Sequence, residues 1–186
     1  NKEFYIFNPY FIDLYRKIKR DAQIIPLKDI GLIIAETGIN KESRILDAGS
    51  GSGALAIFLA GIAKEVITYE IRDDFIEIVK QNIEFLKLKN IKLKKKNIYE
   101  ECDEKNIDVA ALDVPEPWLA IGNCSKALKT GGFLVSYSPS VPQVIDFVNA
   151  IRKNESFVYI KTVEIVEREW EVEERRVRPN SKGIGH

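Results

Sequence analysis

The stretch Arg44-Ile45-Leu46-Asp47-Ala48-Gly49-Ser50-Gly51-Ser52-Gly53-Ala54-Leu55-Ala56-Ile57 decides the fold class. A short apolar pulse ends on an acid, three glycines follow at alternate positions, and residues 54–63 are apolar almost all round, as a buried helix is. Strand, tight loop and helix in that order open a βαβ unit. Working outward, Val66-Ile67-Thr68-Tyr69-Glu70 is a second β-branched run. Asp73 or Asp74 then caps a helix to residue 88, with Phe75, Ile78, Val79, Ile83 and Leu86 at helical spacing. Residues 91–97 alternate apolar with lysine, and 107–114 is a continuous apolar run of the central parallel kind, closed by Pro115 and Pro117. Helices are expected over 118–128 and 141–153, a turn at Thr130-Gly131-Gly132 and a strand over 133–137. Residues 158–172 alternate charged with apolar side chains and read as an antiparallel strand near the sheet edge. Upstream, helical spacing covers 24–37, with Gly38 as its stop. Strands alternating with helices give an α/β fold with a doubly wound, mostly parallel sheet, an antiparallel last strand, and a ligand crevice at the carboxyl ends of the strands. The organisation expected is a helical lead-in over 1–40 and a Rossmann-like domain over 41–186.

Composition narrows the chemistry. With 186 residues, 45% of them hydrophobic, the protein is large enough for one domain with a continuous core. No apolar run reaches membrane-spanning length and no signal pattern opens the sequence, so a soluble cytoplasmic protein is expected. The one histidine is His186, the last residue, which removes histidine bases, triads and metal sites from consideration. Cys102 and Cys124 are far apart with no histidine nearby, so neither a disulfide framework nor a metal centre is expected. The 28 basic and 28 acidic side chains cancel, and any nucleic-acid contact must rest on local patches. There is no Met, and the closing Gly183-Ile184-Gly185-His186 reads as unfinished; a piece of a longer polypeptide is expected.

A glycine loop between strand and helix is the setting of a nucleotide site, because a Cβ there would block the ligand's approach to the backbone. Gly49-x-Gly51-x-x-Ala54 alone also satisfies the relaxed pattern of NAD-dependent oxidoreductases. Asp47 discriminates: an acid two positions before the first glycine repels a pyrophosphate and favours the cationic methionyl end of S-adenosylmethionine. Glu70, ending the next strand, is placed to accept both ribose hydroxyls in either cofactor class. Asn97, ending the third strand, has an amide suited to the adenine edge. Ser50, Ser52, Gly53, Ala54, Ile71 and Ile98, their neighbours in the loop and at the strand ends, complete the expected cofactor lining.

Leu112-Asp113-Val114-Pro115-Glu116-Pro117-Trp118 comes after the fourth strand, so it puts a carboxylate at the crevice and stiffens the next residues with two prolines. Physics alone leaves open an Asp that merely ends a strand, with Trp118 as core filler. At this point the protein resembles the tRNA (adenine-N1)-methyltransferase family that modifies the T loop. The segments that carry the resemblance are Ala22-Gln23-Ile24-Ile25 with Lys28-Asp29, the loop from Asp47 to Leu55, Tyr69-Glu70-Ile71-Arg72, the turn from Leu112 to Trp118, Lys129-Thr130-Gly131-Gly132-Phe133, Gln143-Val144, and Arg168-Glu169-Trp170-Glu171-Val172 followed by Arg178-Pro179 and His186. Together they span almost the whole sequence.

The resemblance implies that Asp113 is the catalytic acid-base residue, that Asp47, Gly49, Gly51, Glu70 and Asn97 line the S-adenosylmethionine site, that Gln23 lies near its methionine end, and that the assembly is a homotetramer acting on tRNA. Candidate RNA contacts are Arg16, Lys17, Lys19 and Arg20, the lysine run over 87–96, and Arg175, Arg176 and Arg178, with Trp118 and His186 beside them. The sequence departs from the family's pattern in three places. Pro26-Leu27-Lys28-Asp29 stands where the family carries Tyr-Pro-Lys-Asp, and neither the family's amino-terminal β domain nor its closing strand is in the sequence. Three other readings compete. A corrin-type small-molecule methyltransferase would not need the Pro-x-Pro-Trp turn; a non-catalytic RNA-binding partner subunit would not need Asp113; an NAD oxidoreductase is opposed by Asp47.

Overall fold

The computed structural model describes residues 2–21 and 23–180. Five strands, β1 (Arg44–Ala48), β2 (Glu65–Glu70), β3 (Ile91–Lys95), β4 (Ile107–Leu112) and β5 (Leu128–Ser136), form one sheet in the order β3-β2-β1-β4-β5. All its pairings are parallel. The polypeptide winds outward from β1 to β3, then crosses back to β4, so the switch point lies between β1 and β4. That is where an open α/β sheet holds its ligand.

Period-two alternation divides the sheet residues between two faces. Ile45, Val66, Val109 and Ala111 face one way and pack against Ile30 and Ile33 of α2 (Leu27–Thr37) and Leu55, Ala56 and Leu59 of α3 (Ala54–Ala60). Leu46, Ile67, Tyr69, Ala110 and Leu112 face the other way, against Cys124 and Ala127 of α5 (Ile121–Ala127) and Phe147 of α6 (Val141–Arg152). α4 (Asp73–Phe85) buries Phe75, Ile76, Val79 and Asn82. The short α1 (Phe11–Tyr15) packs on α3, with the Tyr15 ring edge-on to Phe58 at 5.3 Å and fully buried. Gly38 ends α2 in the left-handed region at φ 67, as expected.

Three expectations need correction. Residues 118–128 are not one helix: Pro117–Ala120 is a 3-10 turn that leads into α5. Lys129 to Gly132 belong to β5, whose register against β4 shifts between Ile107 and Val109, so the glycine turn is accommodated as a bulge. The alternating run 158–172 is no sheet strand. Alternation specifies two faces but supplies no partner edge, and Val158, Ile160, Val163 and Val166 stay exposed. Among the described residues only its end, β6 (Trp170–Glu173), pairs, antiparallel with β7 (Arg176–Pro179), in a separate two-stranded hairpin.

Candidate functional site

The register of β1 on β2 sets Asp47 opposite Thr68, and both side chains fall on the α3 face. The Thr68 hydroxyl donates to Asp47 Oδ2 at 2.6 Å, while Oδ1 is buried with no hydrogen-bond partner among the described residues. Asp47 is 1% exposed. The backbone leaves β1 through Gly49 at φ 90, where a Cβ would collide with the carbonyl oxygen of Asp113 on the neighbouring strand end. The amides of Gly49 and Ser50 donate to Tyr69 O at 3.1 and 3.2 Å, clamping the loop onto β2. Gly53 caps α3 at φ 78. Glu70, buried at the end of β2, accepts from Gly51 N at 3.0 Å through Oε2 and from Ile71 N and Arg72 N at 2.8 and 3.0 Å through Oε1. Its carboxylate thus organises both the glycine loop and the start of α4.

Asp113 follows β4 directly, its amide donating to Ala48 O at 2.9 Å. The proline turn beyond it is held from two sides. Gln143 Nε2 of α6 donates to Pro115 O at 2.9 Å, and Glu116 N donates to the Tyr99 hydroxyl at 3.0 Å. Pro117 is buried and Trp118 half-buried. The rigidity expected of this turn therefore comes from its prolines together with two cross-links from elsewhere in the fold.

The electrostatics are those of an acidic crevice. Burial lifts the Asp47 carboxyl to about 7, against the Thr68 hydrogen bond, with the Asp113 and Glu70 charges adding to the rise. Burial lifts Asp113 to about 6. Asp47, Asp113 and the loop residues Gly49, Ser50, Gly51, Ser52, Ala54 and Leu55 line a cavity of about 20 Å³, closed on its far side by Gln23, Ile24 and Ile25. That volume holds about one water, whereas sites for cofactor-sized ligands run to about 300–1,000 Å³. The cavity that residues 23–25 share with Asp47 and Asp113 is therefore far smaller than a nucleoside.

The structure brings Gln23, Asp47, Gly49, Ser50, Gly51, Ser52, Ala54 and Asp113 to one cavity wall, with Glu70 and Gly53 bracing it and Ile71 exposed beside it. Asn97 departs from its expected place: β3 ends at Lys95, and the Asn97 side chain is turned to its own loop, accepting from Tyr99 N at 3.0 Å and donating to Glu100 Oε1 at 2.9 Å. Ile98 is buried, and its carbonyl accepts from Asn123 Nδ2 at 2.8 Å. Arg16 and Arg20 are exposed, the latter over the Tyr15 ring at 5.8 Å. Lys19 Nζ donates to Gln81 Oε1 at 2.5 Å. Arg175 sits at the exposed tip of the β6–β7 hairpin and Arg178 on β7, paired with Glu171 at 2.7 Å. His186 lies outside the described residues. The lysine run is largely spent internally: Lys92 pairs with Glu65, Lys94 with Glu104, Lys95 with Asp73, and Lys96 with Glu101 and Asp103.

Two residues escaped the sequence reading. Thr68, the partner of Asp47, becomes visible only once the register of β1 and β2 is known. Asn82 had a signal: it occupies an apolar position three residues after Val79 on the buried face of α4, where a polar side chain needs a reason.

Comparison with known proteins gives a consistent picture. The family described as tRNA methyltransferase complex GCD14 subunit matches residues 13–185. The tRNA (adenine(57)-N(1)/adenine(58)-N(1))-methyltransferase TrmI of Methanocaldococcus jannaschii is 37% identical over 215 residues, covering 98% of this chain and 75% of that protein. Among solved structures, tRNA (m1A58) methyltransferase TrmI from Aquifex aeolicus matches with a TM-score of 0.88 at 30% identity, over 97% of this chain and 73% of that one. A Thermotoga maritima structure described as a SAM-dependent O-methyltransferase matches with a TM-score of 0.87 at 32% identity, over 96% of this chain and 68% of that one.

Proposed function

Because the protein belongs to the GCD14 family of tRNA methyltransferase complex subunits, we propose that it is an S-adenosylmethionine-dependent enzyme that methylates N1 of adenine in the T loop of tRNA. The observation that carries this reading is the acidic switch-point crevice, in which Asp47 and Asp113 flank a glycine loop braced by Glu70. The residues fit the cofactor. The Asp47 Oδ1, which has no hydrogen-bond partner among the described residues, suits a cationic group, and Gly49 lets the loop lie directly against the Asp113 carbonyl, so that both acids border one cavity. Asp47 and Gln23 would hold the methionyl end, the loop from Gly49 to Ala54 the middle, Glu70 and Ile71 the ribose, and Asn97 and Ile98 the adenine side. For Asn97 that role requires its amide to leave Glu100.

When bound, the cofactor supplies an electrophilic methyl group on a sulfonium, whose transfer to a ring nitrogen needs mainly in-line positioning, worth roughly 7–11 kcal/mol in well-oriented sites. The protein's part is to receive an extruded base, at a cost on the order of a few kcal/mol, and to polarise it. Asp113 accepts a hydrogen bond from the exocyclic amine, drives electron density toward N1 and offsets the positive charge that develops on the ring. A charge-assisted bond of this kind is worth roughly 1.5–3 kcal/mol. The Gln143 and Tyr99 contacts keep the turn behind Asp113 from yielding. Arg16, Lys19, Arg20, Trp118, Arg175, Arg178 and His186 are the assigned RNA contacts, with the first three on the 1–40 lead-in and the rest on the domain over 41–186. The family resemblance also supports a homotetramer working in the cytoplasm, and the exposed Val141 and Ile145 of α6 offer apolar surface for subunit contact.

The test is incubation of the purified protein with labelled S-adenosylmethionine and an unmodified tRNA transcript, followed by nucleoside mass spectrometry. The expected product is 1-methyladenosine. Label in 2′-O-methylated nucleosides or small hydroxylated acceptors would instead favour the oxygen-directed chemistry described for the Thermotoga maritima protein, and binding without transfer to any acceptor would refute the assignment to an active subunit.

A further inference from the structure

Asn82 is 2% exposed and lies on the buried face of α4, yet its side-chain bonds all leave that helix. Its Oδ1 accepts from Lys19 N at 2.8 Å; its Nδ2 donates to Lys19 O at 3.0 Å and to Ser52 O at 2.9 Å. Ser52 completes the junction, its hydroxyl accepting from Asp21 N at 3.1 Å. One buried amide therefore ties the backbone of the lead-in to the backbone of the glycine loop. Two residues beyond this junction the backbone reaches Gln23, which with Ile24 and Ile25 closes the 20 Å³ cavity. On the far side, Ile25 is buried against α2 and α3. The covering segment is thus a short bridge between two anchors, of which the second is apolar and the first is Asn82.

We propose that Asn82 is a positioning residue for the cofactor site: it pins the lead-in at Lys19 and so keeps residues 23–25 in register over the glycine loop. The proposal rests on the function assigned above. The geometry explains why an asparagine is needed at that spot. The part-buried N–H and C=O of Lys19 must both be satisfied together with a buried loop carbonyl, and only an amide side chain offers an acceptor and two donors at once. An apolar residue would leave the buried Ser52 carbonyl and the part-buried N–H and C=O of Lys19 without this partner. The pin confines any movement of the bridge to the few residues between Asp21 and Ile25. Without it, the closed arrangement is only one of many that the lead-in samples, and apparent affinity falls with the fraction of molecules that can close.

The experiment compares the intact protein bearing Asn82→Ala or Asn82→Asp with the same protein bearing Asn90→Ala. Asn90 is also an amide bonding main-chain carbonyls, at Ala60 and Ala63 on the other side of α3, and so reports a loss of structural bonds away from the site. Titration with S-adenosylhomocysteine should show both Asn82 variants about tenfold or more weaker than wild type, with Asn90→Ala within about twofold. In turnover, the Asn82 variants should raise the KM for the cofactor and keep kcat within about twofold at saturation. If all three variants bind alike, the proposal is wrong. Should the Asn82 variants fail to fold, hydrogen exchange on the wild-type protein decides: the Lys19 and Asp21 amides must slow when S-adenosylhomocysteine binds, and unchanged exchange overturns the proposal. Failure of the wild type to bind S-adenosylhomocysteine at all would instead overturn the function on which it rests.

Discussion

Replacement of Asp47 by asparagine should make the protein's stability less sensitive to pH while removing its cofactor site. In the unfolded state this carboxyl ionises near its ordinary value of 3.8; in the fold, burial holds it at about 7. Below pH 4 both states are protonated and there is no penalty. Between 4 and 7 the folded protein retains a proton that the unfolded state has released, so stability falls as pH rises, by roughly 4 kcal/mol in all, and above 7 the loss is complete. Asparagine does not titrate and escapes this fall. It adds its own cost, because its amide nitrogen occupies the site of the partnerless oxygen or displaces the Thr68 bond, about 1–3 kcal/mol at any pH. The signature is therefore a slope and not an offset: from pH 5 to pH 8 the stability difference should move by about 2–3 kcal/mol in favour of Asp47→Asn. Urea midpoints of both proteins at the two pH values measure it, and S-adenosylhomocysteine titration at pH 8 should show binding at least about tenfold weaker. Parallel pH dependences would refute the buried, ionisation-resistant carboxyl, and undiminished binding would refute its role.

Asp113→Asn should lower kcat by about 10²–10⁴ and leave affinity for S-adenosylhomocysteine nearly unchanged, since the residue acts on the acceptor base; comparable losses in both would reassign Asp113 to cofactor binding. Because the working form of Asp113 is the carboxylate and burial holds it at about 6, wild-type kcat should rise as pH increases through about 6 and level above it, and the Asn variant should lack that limb. Gly49→Ala drives a Cβ into the Asp113 carbonyl and strains a backbone at φ 90. It should cost more than about 2 kcal/mol in denaturant unfolding, and a midpoint equal to wild type would show that the strand ends separate freely. Arg175→Ala and Arg178→Ala should raise the KM for tRNA and flatten its dependence on salt, each by about one phosphate contact, without altering cofactor KM; an unchanged salt slope would remove the hairpin from the RNA interface.

What the sequence disclosed and what it withheld divide along a physical line. β1, the glycine loop, α3 and the Gly38 stop were legible because each is dictated locally: apolar runs buried on both sides, and glycines where φ is positive. The placement of Asp47 and Asp113 on one cavity was legible for a related reason, since an acid at the end of a buried strand stands out against it. Contacts made by register or by distant segments were not. Thr68 meets Asp47 only across β1 and β2, and Asn82 meets Lys19 across 63 residues of sequence. Asn97 shows the complementary ambiguity: a polar residue after a strand serves a ligand or its own turn equally well, and here its amide bonds Tyr99 N and Glu100 Oε1. The run 158–172 failed because alternation describes the faces of a strand and says nothing of whether an edge is there to receive it.

The same crevice accounts for both the selectivity and the tension of the site. Three carboxylates converge at the switch point, and they differ in how well their oxygens are satisfied. Glu70 accepts from three N–H groups and braces the loop; Asp113 is half-buried; Asp47 has an oxygen with no partner among the described residues. A pyrophosphate entering this place would add negative charge beside Asp47 and Asp113, which disfavours dinucleotides. A ligand that brings a cation relieves Asp47 on arrival, and its binding energy is then partly the removal of a penalty already present in the protein. Covering that site with a bridge pinned by one buried amide leaves room beside Asp47 for no more than about one water. The instability of Asp47 is thus retained for the ligand because residues 23–25 close over it, and the two features are parts of one arrangement.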